Sequence, residues 1–111
     1  MSVQPEKNKP LRDIEVMLPN GEVSYLTEGT KITNVKVIAG KGRDRQIDII
    51  DTLVEKFGGA EDEWQKKKGF GFIDYNDESV MVELHWYEEP SVGKVLCKIK
   101  IDSGGNWFHE S

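Results

Sequence analysis

The sequence predicts an α+β domain in which an antiparallel sheet of five or six strands packs against one principal helix. Three observations support this prediction: short segments alternate apolar and polar residues, one segment switches to helical spacing, and turn signals separate them. The 111 residues are the length of a single domain. Residues 1–10 contain two prolines and no periodicity. We therefore expect a flexible lead-in there and assign residues 11–111 to the domain.

The first part of the chain predicts a hairpin and a third strand. Asn20-Gly21 separates two alternating segments, and this dipeptide favours a type I′ turn because both central residues need a positive φ. In that hairpin Val16 is expected to face Tyr25. Residues 31–39 are rich in β-branched side chains and predict a strand that ends at a Gly-Lys-Gly turn.

Helical spacing follows this turn. Asp44 is suited to cap the start of the helix, and Gly58-Gly59 can end it. One face of the helix would carry the apolar residues Ile47, Ile50, Leu53, Val54 and Phe57. A shorter helix is expected next, because acidic residues 61–63 and lysines 66–68 are ordered as the helix dipole prefers.

The last third predicts three strands, over residues 70–75, 80–87 and 94–101, with the first two joined through Asn76-Asp77. The register that pairs Trp86 with Val95 makes one face of the last two strands wholly apolar. Cys97 falls on that face. We therefore predict a core thiol there rather than a nucleophile.

The opposite face of these two strands carries the candidate chemistry. In the same register Glu83 opposes Lys98, and His85 lies one pair along. Metal-independent RNA cleavage needs a base for the 2′-hydroxyl proton, an acid for the leaving oxygen and a cation for the phosphorane. Glu83, His85 and Lys98 are therefore predicted catalytic residues, and Lys94 a phosphate-binding one. The alternative is that Glu83 and Lys98 form only a cross-strand ion pair.

A basic segment stands out in an acidic chain. Twenty acidic and fifteen basic residues give a net charge of −5, which weighs against non-specific nucleic-acid binding. Lys41 and Arg43, at the Gly-Lys-Gly turn before the predicted helix, are candidates for binding phosphate through side chains and free amides. Alternatively, the glycines serve only the turn.

An aromatic motif points to RNA independently. Lys68-Gly69-Phe70-Gly71-Phe72-Ile73-Asp74-Tyr75 resembles the aromatic RNA-binding motif of RNA recognition domains, and its first six residues also resemble a motif of cold-shock domains. On a strand, Phe70 and Phe72 share a face, where stacked bases contribute about 1–3 kcal/mol each. The alternative is that both phenylalanines are core residues.

Several further motifs follow one another along most of the chain. They are Ala39-Gly40-Lys41-Gly42, Gly58-Gly59, Trp64-Gln65, Lys68-Gly69, Glu83-Leu84-His85-Trp86 and Gly93-Lys94. This order resembles small C-terminal domains of phage head-associated proteins and bacterial polymorphic toxins, which are similar to the barnase, colicin and RelE-like ribonuclease superfamily. The resemblance implies RNA cleavage on an open sheet face, with Glu83, His85 and nearby lysines at the site and Lys41 and Arg43 on phosphates.

Three functional hypotheses result. The leading one is an RNA-directed domain, a metal-independent toxin-type ribonuclease of phage or prophage origin, whose partner is RNA. The second is a non-catalytic module that binds single-stranded RNA through Phe70 and Phe72. The third is an acidic protein-interaction or immunity-like domain with a cognate protein partner.

The composition also bears on cofactors and location. No cofactor is implied, and one cysteine and two histidines without ligand spacing predict no metal site. The chain lacks both the apolar run of about 18 residues that a membrane helix needs and the apolar core of a signal peptide. We therefore expect a cytoplasmic protein without membrane contact.

Overall fold

The computed structural model describes residues 14–102 and 104–109, so the predicted lead-in over residues 1–10 lies outside the described part. The chain folds into a mixed, mostly antiparallel sheet with one α-helix, which confirms the α+β class. The elements are β1 (Glu15–Met17), β2 (Val23–Tyr25), β3 (Thr33–Gly40), α1 (Ile50–Phe57), a 3-10 turn (Glu61–Glu63), β4 (Gln65–Tyr75), β5 (Glu78–Glu89), β6 (Gly93–Ile99) and β7 (Phe108–His109).

The sheet has the strand order β2-β1-β6-β5-β4-β3, and β7 pairs with β5 beside it. The prediction of a purely antiparallel sheet was wrong at one place, because β1 runs parallel to β6 through the pair Met17 and Lys98. Strands that are distant in sequence can meet in either direction, and only adjacent strands joined by a short turn must be antiparallel. In the described part of the chain, no helix is long and apolar enough to span a membrane.

The sheet curls so that the chain after β2 reaches β4. Leu26 forms an isolated bridge with Ile73. The amide of Thr27 donates to the carbonyl of Phe72 at 2.8 Å, and Ser24 Oγ donates to the carbonyl of Asp74 at 2.6 Å. These bonds bring β2 and β4 together, so the sheet encloses an interior side and leaves an outer side.

The interior side holds the larger core. Its buried members are Ile14, Val16, Leu18, Leu26, Ile73, Val82, Leu84, Trp86, Cys97 and Ile99. Trp107 packs against this cluster and meets Tyr75 edge-on, with ring centroids 4.9 Å apart.

Two glycines of β4 make room for this core. A Cβ at Gly69 would lie 2.7 Å from Ile32 Cγ2, and one at Gly71 would lie 3.2 Å from Leu84 Cδ1. Because side chains alternate along a strand, inward glycines turn Phe70 and Phe72 outward. The glycines of the aromatic motif are therefore explained by packing.

A second core lies between α1 and the outer side of the sheet. It contains Ala39, Ile47, Leu53, Trp64 and Val95, with Ile50, Val54 and Phe57 packed against it. The predicted apolar helix face is confirmed. The predicted start at Asp44 was wrong: α1 begins at Ile50, and no side chain caps it. The carbonyl of Arg45 instead accepts from the amide of Gly40, which holds the preceding residues in a turn.

The second predicted helix was also wrong. Residues 61–63 form a single 3-10 turn, and lysines 66–68 belong to β4. This part of β4 pairs with β3 on one side and β5 on the other. Two hydrogen-bonded ladders therefore override a charge order that suits a helix dipole.

The two hairpins differ in their turns. At the first, Val16 faces Ser24 rather than Tyr25, and only Gly21 of the turn has a positive φ, of 89°. Pro19 has no N–H and cannot fill the ladder position that a type I′ turn at Asn20-Gly21 would require. The turn at Asn76-Asp77 joins β4 and β5 as predicted.

The predicted register of β5 and β6 was wrong in two steps. Val95 faces Tyr87 rather than Trp86, an offset of one residue that begins at the turn, and a local irregularity adds a second residue. His85 faces Lys98, whereas Tyr87 faces Val95, so β6 holds one residue more than β5 between these pairs. Leu96 in this interval has a φ of 52°, which is unusual for a leucine. It forms a β-bulge that turns Val95 toward the second core and leaves Cys97 in the first.

Candidate functional site

The outer side of β4, β5 and β6 carries one continuous set of polar and aromatic side chains. We call this set the outer face; it comprises Lys66, Lys68, Phe70 and Phe72 of β4, Met81, Glu83, His85 and Tyr87 of β5, and Lys98 of β6. The cross-strand pairs that fix it are Lys66 with Tyr87, Lys68 with His85, Phe70 with Glu83, and Phe72 with Met81. Directly opposed residues share a face, so the set is a consequence of register.

Glu83 and His85 form a hydrogen-bonded pair at the centre of the outer face. Two residues apart on one strand, they point the same way, and His85 Nε2 lies 2.7 Å from Glu83 Oε2. The side chain of His85 is 13% exposed and that of Glu83 is 23% exposed. Both are therefore shielded enough to hold one geometry and open enough to meet a ligand. The bond occupies Nε2, so Nδ1 is the ring nitrogen available for proton exchange with a ligand.

Ammonium groups surround this pair. Lys68 faces His85 from β4, and Lys98 faces it from β6. Lys66 lies one pair further along, with its Nζ 5.6 Å from the centroid of the Tyr87 ring. Burial, followed by the charges of Lys98 and Arg45, lowers the pKa of Lys66. Burial is the larger cause of this lowered pKa, and the neighbouring positive charges, which add to it, favour an anionic ligand.

The predicted pairing of Glu83 with Lys98 was wrong by two positions, because the register is offset by one residue at the turn and by one more at the bulge. Lys98 instead faces His85 directly, and the amide of Lys100 donates to the carbonyl of Glu83 at 2.9 Å. The predicted catalytic residues Glu83, His85 and Lys98 nevertheless lie together on the outer face.

Phe70 and Phe72 also lie on the outer face. Both are half-buried, and neither belongs to the two core clusters of the described residues. That the rings stack on RNA bases stays a prediction. They extend the basic surface by an aromatic platform at the end opposite Lys66.

Lys41 and Arg43 make contacts within the fold at the Gly-Lys-Gly turn. Lys41 Nζ is 2.7 Å from Glu63 Oε2, and the hydrogen bond to Glu63 raises the pKa of Lys41. Arg43 Nε donates to the carbonyl of Val37 at 2.7 Å, and the amides of Gly40, Lys41 and Arg43 all donate to backbone carbonyls. Because α1 starts only at Ile50, this turn does not lead directly into the helix, and phosphate binding by Lys41 and Arg43 stays a prediction.

Lys94 does not lie on the outer face either. It pairs with Glu88, and its Nζ is 3.4 Å from Glu88 Oε1. Glu88 in turn accepts from Trp86 Nε1 at 3.0 Å, on the interior side of the sheet. The bulge at Leu96 is the reason, because the extra residue reverses the direction of the side chains that precede it.

The remaining reactive groups do not add to the outer face. Cys97 is buried, and burial raises its pKa to about 12, so the thiolate needed for nucleophilic attack is scarce near neutral pH. Within residues 14–102 and 104–109, no group of three or more His, Cys, Asp or Glu side chains could hold a metal ion. The chemistry of the face is that of carboxylate, imidazole and ammonium groups.

Sequence reasoning missed Lys66 and Lys68 as members of the site. Their signal was present, because Lys66, Lys68, Phe70 and Phe72 occur at every second position, as on one side of a strand. Three adjacent lysines concealed this alternation by resembling the basic last turn of a helix.

No protein-family model, curated protein or solved structure matches this chain.

Proposed function

We propose that the outer face binds single-stranded RNA and cleaves it without a metal ion, as a ribonuclease of the toxin type. The Glu83–His85 pair at 2.7 Å, flanked across the sheet by Lys68 and Lys98, carries this proposal. These are the group types that transphosphorylation requires, and they lie within one strand pair of each other.

The proposed roles follow from the chemistry of each group. Glu83 accepts the proton of the ribose 2′-hydroxyl, whose oxygen attacks the adjacent phosphorus. His85, in its protonated form, gives a proton to the departing 5′ oxygen, and Lys68 and Lys98 neutralise charge on the phosphorane. The products are a 2′,3′-cyclic phosphate and a 5′-hydroxyl. Glu83 then releases the abstracted proton to solvent, and His85 regains a proton from solvent at Nδ1, which restores both groups.

The test is incubation of the pure protein with single-stranded RNA in excess EDTA. We expect cleavage that ends in 2′,3′-cyclic phosphates, and losses of about 10²–10⁴-fold in rate for His85→Ala and for Glu83→Gln, as for general acid–base groups. Glu78→Gln makes the same change on β5 but on the side opposite the outer face, so it is the matched control and should retain full activity. Intact RNA, or equal cleavage by His85→Ala, would overturn catalysis.

A non-catalytic RNA-binding module is the second candidate, supported by Phe70 and Phe72 beside the lysines of the outer face. In this case the protein binds single-stranded RNA without cutting it. Phe70→Ala should then weaken binding by about 5–150-fold, the equivalent of one lost base stack. RNA that binds equally well to Phe70→Ala would contradict this candidate.

A further inference from the structure

A second cationic site lies on the interior side of the sheet, away from the outer face. Lys67 lies between Lys66 and Lys68 on β4 and therefore points the opposite way. Its Nζ is 3.1 Å from Glu88 Oε2, and Lys94 Nζ is 3.4 Å from Glu88 Oε1. Glu88 thus holds two ammonium groups in fixed positions.

These groups border a cleft of about 380 Å³, which we call the lysine cleft. Lys31 contributes a third ammonium group, and Ile32 and Val35 form an apolar wall. Val35 is 46% exposed, a high value for an aliphatic side chain on a strand. The volume is within the range of small-molecule sites.

The charges of the lysine cleft do not cancel. Three ammonium groups and one carboxylate leave an excess of two positive charges in a chain whose net charge is −5. Each ammonium has three N–H donors, and Lys67 and Lys94 each direct one toward Glu88, so donors remain for a ligand. A phosphate monoester carries nearly two negative charges at neutral pH, whereas a carboxylate or a phosphodiester carries one.

We propose that the lysine cleft binds a terminal phosphate monoester through Lys31, Lys67 and Lys94, with Ile32 and Val35 against the body of the molecule that carries it. Two sources share this chemistry: a free mononucleotide and the phosphorylated 5′ end of a nucleic acid. The site does not depend on RNA cleavage, because none of these residues belongs to the outer face.

Calorimetric titration in phosphate-free buffer tests the proposal. Thymidine 5′-monophosphate should bind and thymidine should not. Lys31→Gln and Lys67→Gln should each weaken binding by about tenfold or more, the loss of one hydrogen bond to a charged group. Lys36→Gln is the matched control, since Lys36 is exposed on the same strand as Val35 but pairs with Lys68 on the outer side. The affinity of Lys36→Gln for thymidine 5′-monophosphate should equal that of the unchanged protein.

The sources are separated with oligodeoxythymidylate, which lacks the 2′-hydroxyl and cannot be cleaved by the proposed ribonuclease reaction. Tighter binding of the 5′-phosphorylated form than of the 5′-hydroxyl form assigns the site to a nucleic-acid end. If both forms of the oligonucleotide bind equally and the mononucleotide also binds, the site is assigned to a free nucleotide. Equal affinity for nucleotide and nucleoside, or an unchanged affinity in Lys31→Gln, would overturn the proposal. Lys31 is exposed, so that variant remains informative even if Lys67→Gln fails to fold.

Discussion

Glu89 is a single buried carboxylate that joins the helical part of the chain to the sheet. It is only 3% exposed, and its Oε2 accepts from the amide of Ala60 at 2.9 Å and from Ser91 Oγ at 2.8 Å. Its other oxygen accepts from the amide and hydroxyl of Ser91. The segment after α1 is therefore fixed to the turn between β5 and β6.

Two adjacent glycines allow this contact to be tested. Gly58 and Gly59 have similar φ values of 81° and 77°, but a Cβ at Gly59 would overlap the Glu89 carboxylate, whereas one at Gly58 would meet nothing within 4 Å. Gly59→Ala should lower the free energy of unfolding by about 2–4 kcal/mol, from backbone strain plus overpacking.

Gly58→Ala is the control and should lower the same free energy by only about 1–2 kcal/mol, because it has the backbone strain alone. Urea denaturation followed by tryptophan fluorescence measures both. Equal losses in the two variants would show that Glu89 is free to move away and does not fix the segment.

At the scale of elements, the turn between β4 and β5 contains a residue whose substitution should make the protein more stable. Asn76 and Asp77 both have positive φ, of 50° and 62°, as the two central residues of a type I′ turn require. Asp77→Gly should raise the free energy of unfolding by about 0.5–1 kcal/mol, because glycine adopts this conformation without a steric penalty.

Asn20→Gly is the contrasting variant in the other hairpin. Asn20 is not in the left-handed region, and its side-chain oxygen accepts from the amide of Glu22 at 2.9 Å. Glycine there loses that bond and gains no conformational benefit. Thermal unfolding should therefore show a higher midpoint for Asp77→Gly and a lower one for Asn20→Gly; a higher midpoint for both would contradict this account.

Elements with strong periodicity were predictable from sequence. The alternation of Val82, Leu84 and Trp86 assigned the two sides of β5, and the spacing of Leu53 and Phe57 assigned the apolar face of α1. Because one buried face fixes the direction of every side chain on a strand, Glu83 and His85 could be placed on the same outer side.

Local irregularities were not predictable. A leucine carries no signal for a positive φ, so nothing in the sequence marked Leu96 as a bulge, and the prediction for Lys94 was wrong as a result. The turn at Lys41 and Arg43 had the expected glycines, but its partner Glu63 comes from a distant turn. Such contacts depend on tertiary structure rather than on local pattern.

At the scale of the whole molecule, the distribution of charge matters more than its sum. The chain has a net charge of −5, yet Lys66, Lys68 and Lys98 lie together on the outer face. Like charges gathered for a ligand repel each other when no ligand is bound. We therefore expect that removing a lysine from the outer face raises the free energy of unfolding and weakens the proposed binding of RNA.

Lys66→Met tests this trade-off. The pKa of Lys66 is lowered in the folded state, so its charged form destabilises the fold at pH values below that pKa. The penalty decreases as the pH rises above it and is gone above the ordinary lysine pKa of 10.5. At pH 7 the variant should gain about 0.3–0.5 kcal/mol in unfolding free energy, the scale of partly exposed charge interactions.

The same variant should bind RNA more weakly, with a shallower dependence of affinity on salt, because one phosphate contact is lost. Lys56→Met, at an exposed position of α1 away from the outer face, is the control and should show no gain in stability. Urea midpoints measured from pH 7 to 11 should converge for Lys66→Met and the unchanged protein. A constant difference over that range would mean that packing of the methionine, and not the removed charge, is the cause.

The bulge at Leu96 also bears on how this chain tolerates changes in length. Trp86 is the only residue of β5 between the pairs formed by His85 and Tyr87, whereas β6 has Leu96 and Cys97 in the same interval. Leu96 is 45% exposed and is the surplus residue. Deletion of Leu96 would leave all other residue pairs between β5 and β6 unchanged. The strand β6 can therefore lose one residue at this position, and each of its lysines would stay on its present side of the sheet.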